Sequence, residues 1–143
     1  MGFVHRIDID APAGIVFAFY EDVGGWPDWD RDVQAVDLPG GLKGGATGWL
    51  KAPRGPRVKI RVAELVPGRS FIMESRLPFC RLQFGHDLQP DTRGTVASHW
   101  VQFLGPLAFL FRRLMSKSIR ASLPETLLGL KRVSEGKIVE GTR

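Results

Sequence analysis

Along residues 3–10 the side chains alternate, with Phe3, His5, Ile7 and Ile9 set against Val4, Arg6, Asp8 and Asp10. Period-two alternation predicts a half-buried strand. Ala11-Pro12 interrupts it, and residues 13–20 read as a short helix offering Ile15, Val16, Phe19 and Tyr20 for packing. Pro12 suits its first turn, where a missing N–H costs nothing. Residues 22–30 are turn-rich but carry Trp26 and Trp29, which need burial if no large apolar patch is to be left exposed. Further strands are predicted at 33–38, 46–51, 57–66, 70–77, 79–89 and 95–104, separated by proline- and glycine-rich turns. No helical pattern falls between them, so a parallel βαβ sheet is excluded, and strand–helix–six strands–helix is an α+β order.

After Gly105-Pro106 the pattern turns helical to about Val133. Its first half sets Leu107, Leu110, Phe111, Leu114 and Met115 on one stripe, with Arg113, Lys117 and Arg120 away from it. The second half continues through Ile119, Leu123, Leu127, Leu130 and Val133, and Pro124 predicts a kink at the change of phase. One domain over residues 1–135 and a polar, frayed tail over 136–143 complete the organisation. There are no internal repeats.

The register of the last two strands can be read from their faces. Leu82, Phe84 and Leu88 share a side with Ala97, Val101 and Phe103 only if the numbers of cross-strand partners sum to an odd value, and a tight loop at residues 91–94 then pairs Pro90 with Thr95. That register sets Leu88 opposite Ala97, Phe84 opposite Val101, and His86 opposite His99 on the inner face. A one-residue slip would turn one apolar set to solvent, so the pairing is well specified.

Composition changes this picture little. The chain has 143 residues, 43% hydrophobic and 24% charged, enough for one self-sufficient core. No signal-peptide pattern opens the chain and no apolar run reaches membrane-spanning length, so a cytoplasmic protein is expected. Charge is more telling. The net +5 resides between Pro106 and Val133, where Arg112, Arg113, Lys117, Arg120, Lys131 and Arg132 face one acid, Glu125. A basic helical face is ordinarily just solvated, and it also suits weak contact with a membrane surface. Nucleic acid is not an expected partner, because aromatic side chains do not interleave with the basic ones on a shared surface. The sequence is silent on oligomeric state.

Familiar catalytic signatures are missing. There is no phosphate loop, no nucleophile elbow, no zinc-protease helix and no paired-cysteine zinc spacing, so no cofactor or metal is expected. Cys80 is the lone cysteine. Its nearest candidate base, His86, lies six strand residues away, about 20 Å, so a buried filler role suits it better.

The order of elements resembles the polyketide cyclase/dehydrase and lipid-transport branch of the START-like (SRPBCC) superfamily. The matching stretches are His5-Arg6-Ile7-Asp8-Ile9-Asp10-Ala11-Pro12-Ala13 with Val16-Phe17, Trp26-Pro27-Asp28-Trp29, Leu65-Val66-Pro67-Gly68-Arg69, and a strand ending in Gly105-Pro106 before a long helix. The resemblance implies a helix-grip fold: a curved seven-stranded antiparallel sheet around the C-terminal helix, with two short helices after the first strand. It also implies a cavity for a lipid, a polyketide or an isoprenoid-like molecule, which some members transform and many only bind or carry. Fold alone does not decide between these.

Within that topology the candidate site gathers on the inner face. His86 and His99 are the candidate acid–base or ligand-orienting residues, and His5, on the neighbouring first strand, is placed to approach His99. Satisfied core histidines and a metal set are the competing readings. Glu64 shares parity with Val58, Ile60 and Val62, which makes it an inward carboxylate of second rank. Tyr20, Trp26, Trp29, Phe71, Met73, Phe84, Val101, Phe111 and Leu127 are the expected ligand-lining residues, and packing explains the tryptophans equally well. Glu74 and Arg76 are expected to point outward as solvated charges. Three functions follow: binding or carriage of a small hydrophobic molecule, a cyclase or dehydratase using a cavity histidine, and a membrane-associated lipid chaperone.

Overall fold

The computed structural model describes residues 2–141. Strand β1 (Gly2–Ile9) leads through helix α1 (Ala13–Glu21), a 3-10 turn at Val23–Gly25 and the short helix α2 (Trp26–Trp29). Six strands follow: β2 (Ala35–Asp37), β3 (Thr47–Lys51), β4 (Arg57–Val66), β5 (Ser70–Leu77), β6 (Cys80–Pro90) and β7 (Thr95–Leu104). Helix α3 (Ala108–Gly141) closes the chain. All seven strands form one antiparallel sheet in the order β1-β7-β6-β5-β4-β3-β2, so the first and last strands are neighbours. This is the helix-grip α+β architecture, with α3 lying against β1 and β7.

Hairpin geometry explains most of the sheet. The β6–β7 ladder pairs Pro90 with Thr95, Leu88 with Ala97, His86 with His99 and Phe84 with Val101, the register dictated by the two apolar faces. The turn is held by the Asp91 carboxylate, which accepts from the backbone N–H groups of Arg93 and Gly94. In β7 the buried side chains are Thr95, Ala97, His99, Val101 and Phe103, a strict alternation that marks the inner face.

Two departures in the sheet follow from local physics. Between Val62 and Glu64 the β4–β5 register shifts by one, leaving Ala63 unpaired as a bulge. The extra residue inverts parity beyond it, so Leu65 takes the inward position opposite Phe71 and Glu64 is exposed. The inward carboxylate expected at Glu64 is therefore corrected. Glu74, expected to be solvated, is buried on the outer face. It accepts from the Gln83 amide at 2.9 Å and lies 3.9 and 3.7 Å from the guanidinium groups of Arg61 and Arg81, its cross-strand and diagonal neighbours.

Helix α3 holds Pro124 within its span and departs from expectation in two ways. It continues past Val133 to Gly141. The region expected to be a loose tail is helical from Gly136 to Gly141, where Ile138 packs against the core, and residues 142–143 lie outside the described residues. Its first turns are rotated so that Phe111 and Met115 meet the sheet while Leu110 and Leu114 face solvent. A five-residue apolar stripe is wider than the contact it makes here. Gly129 sets the crossing with α2: a Cβ there would stand 1.9 Å from the Trp29 carbonyl oxygen.

The core falls into two clusters. One joins α1, α2 and the second half of α3 to β4, β5 and the far end of β6–β7, through Tyr20, Trp26, Trp29, Phe71, Met73, Leu127 and Leu130. The other joins the near ends of β6 and β7 to the first half of α3, through Cys80, Leu82, Val101, Phe103 and Ile119. Phe84 touches both.

Candidate functional site

Helix α1 begins where Pro12 accepts the amides of Ile15 and Val16, and it buries Val16, Phe17 and Tyr20 on one side. That spacing drives the Tyr20 phenol across the sheet's inner face. Its hydroxyl meets Nε2 of His99 at 2.7 Å, with Tyr20 1% and His99 3% exposed. Burial, followed by the Asp87 charge, pushes the Tyr20 pKa well above its usual 10.0. Burial, followed by the proximity of His86, holds His99 well below its usual 6.5. Both groups are neutral at pH 7, and a single hydrogen bond joins them, its donor set by the His99 tautomer.

His86 stands directly opposite His99 in the ladder, with ring centroids 4.7 Å apart and the rings nearly perpendicular. It stacks on Phe71 at 3.9 Å and 4°, and also packs edge-on to Tyr20. Its Nδ1 lies 3.3 Å from the Phe71 carbonyl oxygen. A carbonyl only accepts, so Nδ1 carries the proton and Nε2 presents a lone pair. That lone pair has no hydrogen-bond partner among the described residues, and His86 is half-buried rather than fully enclosed. Burial lowers the His86 pKa to about 4, against the smaller raising effect of the Phe71 carbonyl.

The aromatic wall around Tyr20 and the two histidines comes from α2 and β5. Trp26 donates its indole N–H to the Tyr20 carbonyl at 3.0 Å and stacks on Phe71 at 6.2 Å. Trp29 leans on Tyr20 at 6.2 Å, and its indole nitrogen is buried without a hydrogen-bond partner among the described residues. The site thus contains one unpaired donor, Trp29 Nε1, and one unpaired acceptor, His86 Nε2, each beside the same phenol ring. An unsatisfied buried donor costs about 1–3 kcal/mol unless something pairs with it.

Of the residues singled out in the sequence, Tyr20, Trp26, Trp29, Phe71, Met73, His86, His99 and Leu127 converge here, with Phe84 at the edge. Val101 and Phe111 lie in the second cluster, beyond Phe84. His5 is opposite His99 in the β1–β7 ladder but is exposed, and it makes no ring contact with either histidine among the described residues. The three-histidine cluster does not form, because β1 is an edge strand and solvent reaches its inner side. Glu64 is outside the site. Cys80 is buried at the far end of β6, its Sγ 3.7 Å from the Arg81 carbonyl oxygen.

The sequence reading missed the Tyr20–His99 hydrogen bond and Asp30. The Asp30 carboxylate, just past α2, accepts from the Asp32 amide at 2.9 Å and the Thr126 hydroxyl at 3.1 Å, tying α2 to α3. Burial raises its pKa to about 6. Among the described residues no three His, Cys, Asp or Glu side chains gather as a metal ion would require. The two concavities described, of about 620 and 520 Å³, both lie outside the space between sheet and helix. The first is an open groove on the convex face between Arg6, Arg69, Asp87 and Trp100. The inner face around Tyr20 and the two histidines is packed by its own rings.

A seven-stranded antiparallel sheet wrapped against a long C-terminal helix is the arrangement of a helix-grip domain. The chain belongs to the polyketide cyclase / dehydrase and lipid transport family, whose pattern it matches over residues 2–135. No curated protein is similar enough in sequence to match it. Among solved structures it is similar to the di-domain ARO/CYC protein StfQ of the steffimycin biosynthetic pathway, at 12% identity and a TM-score of 0.75. That match covers 96% of this chain and 51% of the other, so the chain spans about half of the di-domain protein. A protein from Nitrosomonas europaea matches at 13% identity and a TM-score of 0.75, over 96% of each chain. Truncated norcoclaurine synthase from Thalictrum flavum matches at 11% identity and a TM-score of 0.72, over 93% of this chain and 92% of that one. At such identities the likeness is one of fold. No helix among the described residues is long and apolar enough to cross a membrane.

Proposed function

We propose that this domain binds a small hydrophobic molecule between the sheet and α3, oriented by the two unpaired polar atoms beside Tyr20. The observation that carries this reading is a buried donor without a partner, Trp29 Nε1, packed on the same Tyr20 ring as the half-buried His86, whose Nε2 has no hydrogen-bond partner among the described residues. His86 cannot offer a proton to a carbonyl while its Nδ1–H is held by Phe71. It accepts, so it selects a ligand hydroxyl, and the Trp29 N–H suits a neighbouring carbonyl oxygen. A hydroxylated, carbonyl-bearing apolar compound of polyketide or quinone type fits that pair. Apolar burial supplies the affinity, roughly 25 cal/mol per Å². Entry requires the side chains packed around Phe84 to part, at the joint between the two core clusters.

Native mass spectrometry of freshly purified protein, followed by organic extraction, tests this reading. A bound apolar molecule of a few hundred daltons supports it. A bare protein that also takes up no added apolar compound refutes it.

A second reading, a cyclase or dehydratase, is favoured by one observation: a hydroxyl and two imidazoles, Tyr20, His99 and His86, pack together on the inner face, with Tyr20 hydrogen-bonded to His99. The low pKa of His86 weighs against it, because a base near 4 is poorly matched to proton abstraction at neutral pH. His86→Gln separates the two, since a carrier loses no more than its modest preference for the ligand hydroxyl while an enzyme loses rate far more than affinity.

A further inference from the structure

Among the described residues, four of the seven large hydrophobic side chains left exposed lie where the β5–β6 turn meets the start of α3. They are Phe79 (76% exposed), Phe109 (67%), Leu110 (40%) and Leu114 (69%). Phe79 is also the one non-glycine residue with a left-handed backbone among the described residues, at φ 54°. A bulky residue rarely adopts that conformation without a constraint. The constraint is visible: the Phe79 carbonyl accepts the Leu107 amide at 3.1 Å, and Gly105 packs against that same carbonyl, where a Cβ would stand 2.8 Å away. The turn is pinned to the helix start and holds its phenyl ring out in water.

The charge around this patch has one sign. At 3.6 residues per turn, Phe109, Arg120, Arg113, Lys117, Leu110 and Leu114 fall in a single arc of about 140°. Between Leu107 and Pro124 the helix carries four basic residues and no acid. Arg113, Lys117 and Arg120 have no acidic partner among the described residues, while Arg31, Arg61, Arg81 and Lys131 all do. Apolar side chains interleaved with unneutralised cations on one helical face are what an interfacial helix presents to lipid headgroups.

We propose that this end of the molecule docks on an anionic phospholipid surface, with Phe79, Phe109, Leu110 and Leu114 entering the headgroup layer and Arg113, Lys117 and Arg120 meeting lipid phosphates. A second copy of the chain is a poorer occupant, since a two-fold contact would set like charges face to face. The inference stands apart from the ligand reading and needs no particular cargo.

Co-sedimentation of the full chain with phosphatidylcholine vesicles, with and without about 30% phosphatidylglycerol, tests it. Binding is expected only with the anionic lipid, falling at least tenfold in high salt. Phe109→Ser combined with Leu114→Ser should lower it about tenfold at unchanged net charge. Arg113→Glu should weaken it several-fold more than Lys43→Glu, an equal charge change at an exposed site in a distant loop. All these side chains are exposed, and circular dichroism confirms that the variants fold. Failure to bind anionic vesicles overturns the proposal. So does equal loss from the two charge reversals, which would mark mere attraction to a basic protein. A concentration-dependent dimer abolished by Phe109→Ser would assign the patch to a second copy instead.

Discussion

The Tyr20 hydroxyl and His99 Nε2 are hydrogen-bonded at 2.7 Å, joining helix α1 to the last strand over 79 positions of sequence. Neither group has water to fall back on, so each depends on the other. Replacing Tyr20 with Phe preserves the ring packing but strands the imidazole nitrogen. We expect a loss of about 1–3 kcal/mol, the usual penalty for an unsatisfied buried polar atom. Urea denaturation of Tyr20→Phe measures it, and an unchanged midpoint would mean that the bond contributes nothing net.

The buried histidines make stability depend on pH with a definite sign. In the unfolded chain they titrate near 6.5, whereas in the fold His86 is held at about 4 and His99 well below its usual value. Between those limits the unfolded chain takes up protons that the native one refuses, so stability falls as pH drops from about 6.5 toward 4. His86 alone corresponds to about 3 kcal/mol across that window. Asp30 acts in the opposite sense: its pKa is raised from 3.8 to about 6, so the native state takes its proton first and gains relative stability on the acid side. Two histidines outweigh one carboxyl, and the net trend is acid destabilisation. Asp30→Asn should steepen the acid loss and raise stability at pH 7. Urea midpoints at pH 7, 6 and 5 check both statements, and a profile that is flat or rises toward pH 5 contradicts them.

Two glycines of α3 should respond oppositely to alanine. At Gly129 the new Cβ would meet the Trp29 backbone oxygen at 1.9 Å, and backbone cannot swing aside, so α3 must lift away from α2. We expect Gly129→Ala to cost more than about 2 kcal/mol despite its better helix propensity. At Gly136 nothing stands within 4 Å, so Gly136→Ala should stabilise by about 0.5–1 kcal/mol. Thermal melts of the two variants are the check, and shifts of the same sign would show that the α2–α3 contact is not as tight as drawn.

The buried Glu74 on the convex face should be similarly sensitive. Glu74→Ala leaves Arg61 and Arg81 without their shared carboxylate and Gln83 without its acceptor. Both arginines are about half exposed and can turn to water, so a loss of about 1–2 kcal/mol is expected rather than unfolding. Denaturation in 0.1 and 1 M salt tests this, since a buried pair should be screened little.

How much of this was legible beforehand divides along physical lines. The His86–His99 pairing was readable because two alternating strands and a tight loop admit one register. Glu64 was misread because Ala63 carries no mark of a bulge, and one unmarked residue inverts every assignment beyond it. The Tyr20–His99 bond was invisible because the docking angle of α1 is set by tertiary packing, not by its own nine residues. Leu110 and Leu114 looked like core because helical periodicity defines a stripe without saying which of its edges meets the sheet. Glu74 was read as solvated because parity gives the side of a strand but not the depth of the side chains around it.

The account's central claim is that His86 Nε2 recognises a ligand hydroxyl inside the fold. Isothermal titration calorimetry with a hydroxylated naphthoquinone and with its methyl ether tests it most directly, on the unmodified protein and on His86→Phe. The account predicts one-to-one binding of the hydroxyl compound, about tenfold tighter than its ether, and loss of that preference in His86→Phe. Equal affinity for the two compounds, a preference that survives His86→Phe, or no binding of either would contradict it.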